Sequence, residues 1–123
     1  MRILIVSDNK LTRWVLQEVC IQEGHHVSFA NGAEKVLGEA ESEPFDIIFA
    51  HLEMDSTDAV MMVKSLLHHQ TETSLVVISA LQAQEIGSLL GDVNIFRIIE
   101  KPVEASVIRA IIEKVSDKQN IHA

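Results

Sequence analysis

The sequence predicts an α/β domain, a parallel five-stranded sheet with five helices laid on its two faces. Three observations predict it. Short apolar runs alternate with amphipathic stretches five times along the chain. The first, third and fourth runs are nearly continuous Ile, Val, Leu and Phe, the composition of strands covered on both faces. The length of 123 residues suits one domain with a single sizeable core.

The elements follow in order. Ile3 to Val6 is a buried strand. Leu11 to Glu23 carries Leu11, Val15, Leu16, Val19 and Cys20 at helical spacing, and Gly24 stops that helix. His26 to Ala30 is a second strand, with Val27 and Phe29 alternating against polar neighbours. Asn31-Gly32 turns the chain into a short helix over Ala33 to Ala40, and Glu41 to Pro44 is a loop. Asp46 to Ala50 is the third strand. Thr57 to His69 is a helix with Val60, Val63, Leu66 and Leu67 inward. Ser74 to Ser79 is the fourth strand, Gln82 to Leu90 a helix, and Asn94 to Ile99 the fifth strand. Ala105 to Val115 is the last helix, with Val107, Ile108, Ile111, Ile112 and Val115 on its apolar face. Residues 1–118 form the domain. The polar residues 119–123 are read as a tail and as the start of a linker to an output domain.

Composition narrows the class. No apolar run approaches the ~20 residues that span a bilayer, so a membrane role is not expected. The Ile3 to Val6 run is too short for a signal peptide. One cysteine, Cys20, cannot form an internal disulfide, which fits a reducing compartment and a cytoplasmic protein. A net charge of −8 repels a phosphate backbone, so no nucleic-acid partner is expected for this domain.

The architecture locates a site before any family is considered. Open α/β sheets bind ligands at the carboxyl ends of their strands. The polar residues there are Ser7, Asp8 and Asn9 after strand one, His51 and Glu53 after strand three, Ser79 after strand four, and Glu100 and Lys101 after strand five. Carboxylates, an imidazole, a hydroxyl and an ammonium are thus directed to one edge.

Four segments carry a resemblance. Ile3-Leu4-Ile5-Val6-Ser7-Asp8-Asn9, Phe45 to His51, Val76-Val77-Ile78-Ser79-Ala80 and Ile99-Glu100-Lys101-Pro102 resemble, in order and spacing, the signature segments of response-regulator receiver domains. The resemblance implies a flavodoxin-like fold with strand order 2-1-3-4-5. It implies a phosphorylation pocket in which two adjacent acids and an aspartate ending strand three bind Mg²⁺. That aspartate accepts the phosphoryl group. A Ser/Thr and a Lys-Pro lysine bind it, and the Lys-Pro bond is usually cis. Transferred by position, Ser7 stands where the first acid belongs and Asp8 keeps the second. His51 occupies the phosphoacceptor position, and Ser79, Lys101 and Pro102 match. The following segment, Met54-Asp55-Ser56-Thr57-Asp58-Ala59, keeps Met54 and Asp58 and lacks the usual Pro and Gly.

No other register restores the acceptor. Asp46 begins strand three, and five residues at ~3.3 Å each put it about 16 Å from the far end. Asp55 lies past the strand, in the loop. Mg²⁺ prefers oxygen donors in octahedral geometry, and only Asp8 remains of three acids, with Glu53 at the pocket mouth as a second weak candidate. No cofactor is therefore expected, and Mg²⁺ binding is expected to be weak or absent. Neutral imidazole suits Zn²⁺, Cu²⁺ or Ni²⁺ better.

The plain readings are structural. Asp8 pairs with Lys101 or His51, His51 fills the vacated pocket, and Ser79 satisfies local backbone. Trp14 is half-packed surface, Met61 and Met62 are helix packing, and Cys20 is a small buried hydrophobe. The expected function is a non-enzymatic, two-component-type signalling module that binds a protein partner or output domain without aspartyl phosphorylation. The family's dimer face, made by helix four, strand five and helix five, would include Leu89, Arg97 and Arg109. The alternative is an active phosphoacceptor, within a phosphorelay, that uses Asp55, Glu53 or His51. A flavin-type binder is disfavoured, because Ser7-Asp8-Asn9-Lys10 replaces a Gly-rich loop.

Overall fold

The computed structural model describes residues 1–30, 44–53 and 57–122, with side chains through residue 119. Its elements are β1 (Arg2–Val6), α1 (Lys10–Gln22), β2 (His26–Ala30), β3 (Ile47–His51), α2 (Thr57–His69), β4 (Ser74–Ser79), α3 (Ala83–Leu90), β5 (Arg97–Glu100) and α4 (Ala105–His122). The described residues thus contain four helices. The helix expected over Ala33 to Ala40 lies outside them, as does the Asn31-Gly32 turn.

All strand pairs are parallel and the order is β2-β1-β3-β4-β5. Period-2 alternation sends each strand's side chains to two faces. Leu4, Val6, Ile48, Ala50, Leu75 and Val77 meet Val60, Val63 and Leu66 of α2 and Ile86 and Leu90 of α3. Ile3, Ile5, Ile47, Phe49, Val76 and Ile78 meet Leu16, Val19 and Cys20 of α1 and Ile108, Ile111, Ile112 and Val115 of α4. Two cores back one sheet, which explains why β1, β3 and β4 are apolar at nearly every position.

Three expectations are corrected. Leu11 is 71% exposed, and Thr12 is buried in its place. Asn9 caps α1 by accepting from the Thr12 backbone N–H at 2.9 Å, so the inward stripe runs Thr12, Leu16, Val19 and Cys20 while Leu11 turns outward. Val107 is likewise 40% exposed, beside an inward stripe of Ile108, Ile111, Ile112 and Val115. Finally, α4 does not end at Val115 but continues to His122. Residues 116–122 contain no Gly or Pro to stop it. Lys118 Nζ donates to Ser74 Oγ at 3.2 Å and Gln119 Nε2 to Asp46 Oδ1 at 2.6 Å, which ties this stretch to the sheet.

Candidate functional site

Parallel register brings the strand ends together. Val6 lies opposite Ala50, Ala50 opposite Val77, and Ser79 opposite Glu100. Ser7, His51, Ser79 and Lys101 therefore share one edge of the sheet. Asp46 stands at the other edge, where its Oδ2 accepts from the Arg2 backbone N–H at 2.7 Å and its Oδ1 from Gln119. It fastens the start of β3 and cannot reach the site.

His51 is the centre of the site. It ends β3 with its side chain 5% exposed. Its Nδ1 lies 3.2 Å from Ser7 Oγ, itself buried, and the Asn9 backbone N–H donates to that same oxygen at 3.1 Å. The Ser7 hydroxyl can donate to a bare Nδ1 or accept from a protonated one, so it serves either neutral tautomer. Its Nε2 lies 3.3 Å from Glu53 Oε1. That is an ion-pair distance. Among the described residues Nε2 is left buried without a hydrogen-bond partner. Burial, and then the Lys101 ammonium, push His51 below the ordinary imidazole pKa, while Glu53 and Asp8 oppose them. His51 is thus neutral at pH 7.

The lysine goes to an unexpected carboxylate. Lys101 Nζ contacts Glu53 Oε1 at 3.4 Å, not Asp8. Asp8 is exposed and makes no hydrogen bond or ion pair among the described residues. The reason is local. Ser7 takes the inward position at the end of β1 and leaves Asp8 exposed, whereas Glu53, two residues past His51, brings its carboxylate within 3.3 Å of His51 Nε2 and 3.4 Å of Lys101 Nζ. The Lys101–Pro102 peptide bond is cis. Glu100 is exposed and takes no part in this network.

Ser79 is fully buried. Its Oγ donates to the Leu52 carbonyl at 2.7 Å and accepts from the Leu81 backbone N–H at 3.0 Å. The hydroxyl thereby joins the chain leaving β3 to the chain leaving β4. The Leu52 carbonyl is the member of the site that the sequence could not signal, because a main-chain oxygen has no side-chain signature. Met54 and Asp55 lie outside the described residues. Asp58 is in the first turn of α2.

Among the described residues, no three His, Cys, Asp or Glu side chains are grouped to hold a metal ion. A cavity of about 620 Å³ lies at the opposite sheet edge between Lys64, His68, Ser74, Asn94, Phe96 and Lys118, away from these groups. A smaller one of about 360 Å³ lies between β5 and α4, lined by Arg97, Ile98, Ser106, Val107, Ala110 and Lys114. Arg109, expected on that side, instead faces α1, where its guanidinium meets Gln22 at 3.2 Å and Glu23 at 3.5 Å. No helix among the described residues is long and apolar enough to cross a membrane.

This geometry meets its family by comparison. The response regulator receiver domain model matches residues 3–113, and the chain belongs to that family of two-component signalling domains. It is 36% identical over 84 residues to the sensory/regulatory protein RpfC of Xanthomonas campestris, a match covering 65% of this chain and 12% of that protein. The chain thus spans a small part of that relative's length. Among solved structures, the response regulator receiver domain protein (CheY-like) from Methanospirillum hungatei JF-1 superposes with a TM-score of 0.78 at 19% identity, covering 97% of this chain and 96% of that one. NtrX from Brucella abortus gives a TM-score of 0.80 at 19% identity, covering 98% of this chain and 28% of that one. Both are likenesses of fold.

Proposed function

We propose that this receiver domain works as a constitutive protein-interaction module and not as an enzyme, and that aspartyl phosphorylation does not control it. One observation carries the reading. The residue ending β3 is a buried, neutral His51 held by Ser7, and no carboxylate stands at that position. Without an anionic oxygen nucleophile there, an acyl phosphate has no atom to form on. The other pocket groups are engaged elsewhere. Ser79 is occupied by two main-chain groups, and Lys101 is paired with Glu53.

The donor set also fits Mg²⁺ poorly. An octahedral oxygen site uses one or two well-placed carboxylates. Here Asp8 is alone and exposed, while Glu53 is shared with an ammonium. We take the module to be cytoplasmic. Its partner, a separate protein, an output domain or a second copy of the chain, would dock on α3, β5 and α4. Ile98 and Val107 there leave apolar surface open beside the groove, and a net charge of −8 disfavours nucleic acid.

Glu53 favours the one competing reading, since Lys101 already holds its carboxylate. In that reading Glu53 accepts phosphate in place of the strand-end residue. Incubation with acetyl phosphate and Mg²⁺ followed by intact mass measurement separates the two. The proposal expects no added phosphoryl group. A stoichiometric adduct mapped to Glu53, or to any residue from His51 to Asp58, overturns it.

A further inference from the structure

The cavity at the amino-terminal edge of the sheet lies away from His51 and has no part in the proposed function. It is lined by the last turn of α2, the starts of β4 and β5 and Lys118 of α4. Its volume, about 620 Å³, falls within the roughly 300–1,000 Å³ of small-molecule sites. Leu67, Leu75, Val93, Ile95 and Phe96 supply apolar lining, and Lys64 and Lys118 supply positive charge. We propose that this cavity binds a small organic phosphate monoester, whose phosphate is neutralised by the two lysines and whose organic body packs on the apolar lining.

The charge is available. Among the described residues neither Lys64 nor Lys118 forms an ion pair with a carboxylate, although acidic side chains outnumber basic ones 18 to 10 in the chain. Lys118 Nζ donates to Ser74 Oγ at 3.2 Å and lies 5.5 Å from the centre of the Phe96 ring. An ammonium has three donors, so the Ser74 bond leaves two for a ligand. A phosphate monoester carries about −1.5 to −2 charges at pH 7. That matches two ammonium groups, where a carboxylate would match one.

The lining is held in place without a ligand. Gln70 and Thr73 are buried. Gln70 Oε1 accepts from the Phe45 backbone N–H at 2.9 Å, and Thr73 Oγ1 donates to the Phe45 carbonyl at 2.6 Å. These bonds pin the turn between α2 and β4. The Phe96 backbone N–H donates to the Leu75 carbonyl at 2.8 Å and fixes the approach to β5. A preformed lining spares the ligand the cost of ordering it. Asp92 also lines the cavity, and its carboxylate opposes an anion, so the affinity is modest and rises when that charge is removed.

The test titrates the ¹⁵N-labelled full chain with phenyl phosphate, without Mg²⁺ or any phosphodonor, so that it can fail independently of the proposed function. The expected result is a saturable shift of the Thr71, Asn94 and Phe96 amides with a Kd of about 1 mM or below, while Ser79 and Lys101 stay in place. Phenol, which lacks the charge, and inorganic phosphate, which lacks the body, should each bind more weakly. Lys64→Met alters an exposed residue that makes no hydrogen bond or ion pair among the described residues, and should weaken binding about two- to fivefold. Lys118→Met should do the same, and Asp92→Asn should tighten binding about twofold. The proposal is overturned if the three amides are unmoved up to about 10 mM phenyl phosphate, or if the shifts fall at Ser79 and Lys101 instead. Phenol or inorganic phosphate binding as tightly as phenyl phosphate, or unchanged affinity in Lys64→Met, also overturns it.

Discussion

Replacing Ser79 by Ala separates a hydroxyl kept for phosphate from one that holds the fold. The Ser79 Oγ bonds Leu52 O at 2.7 Å and Leu81 N at 3.0 Å, and both Ser79 and Leu52 are fully buried. Ala leaves the Leu52 carbonyl unpaired where water does not reach it. An orphaned buried acceptor costs about 1–3 kcal/mol. For a domain of this size that corresponds to a melting temperature lower by roughly 4–12 °C. Urea denaturation followed by circular dichroism measures the loss as a lower midpoint at unchanged slope. Ser88→Ala is the control. Its hydroxyl is exposed and bonds only the Gln84 carbonyl of its own helix, so its effect should stay within about 0.5 kcal/mol. Equal effects of the two substitutions would refute the structural role given to Ser79.

Three further outcomes follow from the same geometry. His51 titrates below its unfolded value of about 6.5, so the unfolded chain binds the extra proton first. Stability should be full above pH 6.5 and fall as the pH drops towards the folded value. His25, lowered mainly by burial and then by the N-terminal ammonium, adds to the same slope; His51→Asn should flatten the pH–stability curve only in part. Gly24→Ala should cost about 1–2 kcal/mol in the same urea assay, because φ is +83° and a Cβ there meets no atom, so the cost is backbone strain alone. Asp46→Asn should cost about 1–2 kcal/mol through its bonds to Arg2 and Gln119.

The fold was legible because burial on two faces leaves a plain signature. Runs such as Ile3 to Val6 and Leu75 to Ile78 suit few structures other than central parallel strands. The site was legible in position but not in pairing. Sequence order places Ser7, His51, Ser79 and Lys101 at one edge. It cannot say which carboxylate Lys101 selects, because that depends on which side chain of Ser7-Asp8 turns inward. The structure gives that place to Ser7 and leaves Lys101 to Glu53. Helix faces failed where a cap overrode apolar spacing, as at Leu11. The end of α4 was missed because Ser116 to His122 is polar. Its anchors, Ser74 and Asp46, are distant in sequence and close only after folding.

The central claim, that this pocket does not receive a phosphoryl group, is tested most directly with beryllofluoride, a mimic of that group. ¹⁵N-labelled protein is titrated with beryllofluoride and Mg²⁺ while the Ser79 and Lys101 amide resonances are followed. Ser79 is committed to Leu52 and Leu81, Lys101 to Glu53, and no carboxylate ends β3 to bond beryllium. Both resonances should stay in place across the titration. A saturable shift of the two together, dependent on Mg²⁺, would show a working phosphoryl site and contradict the account.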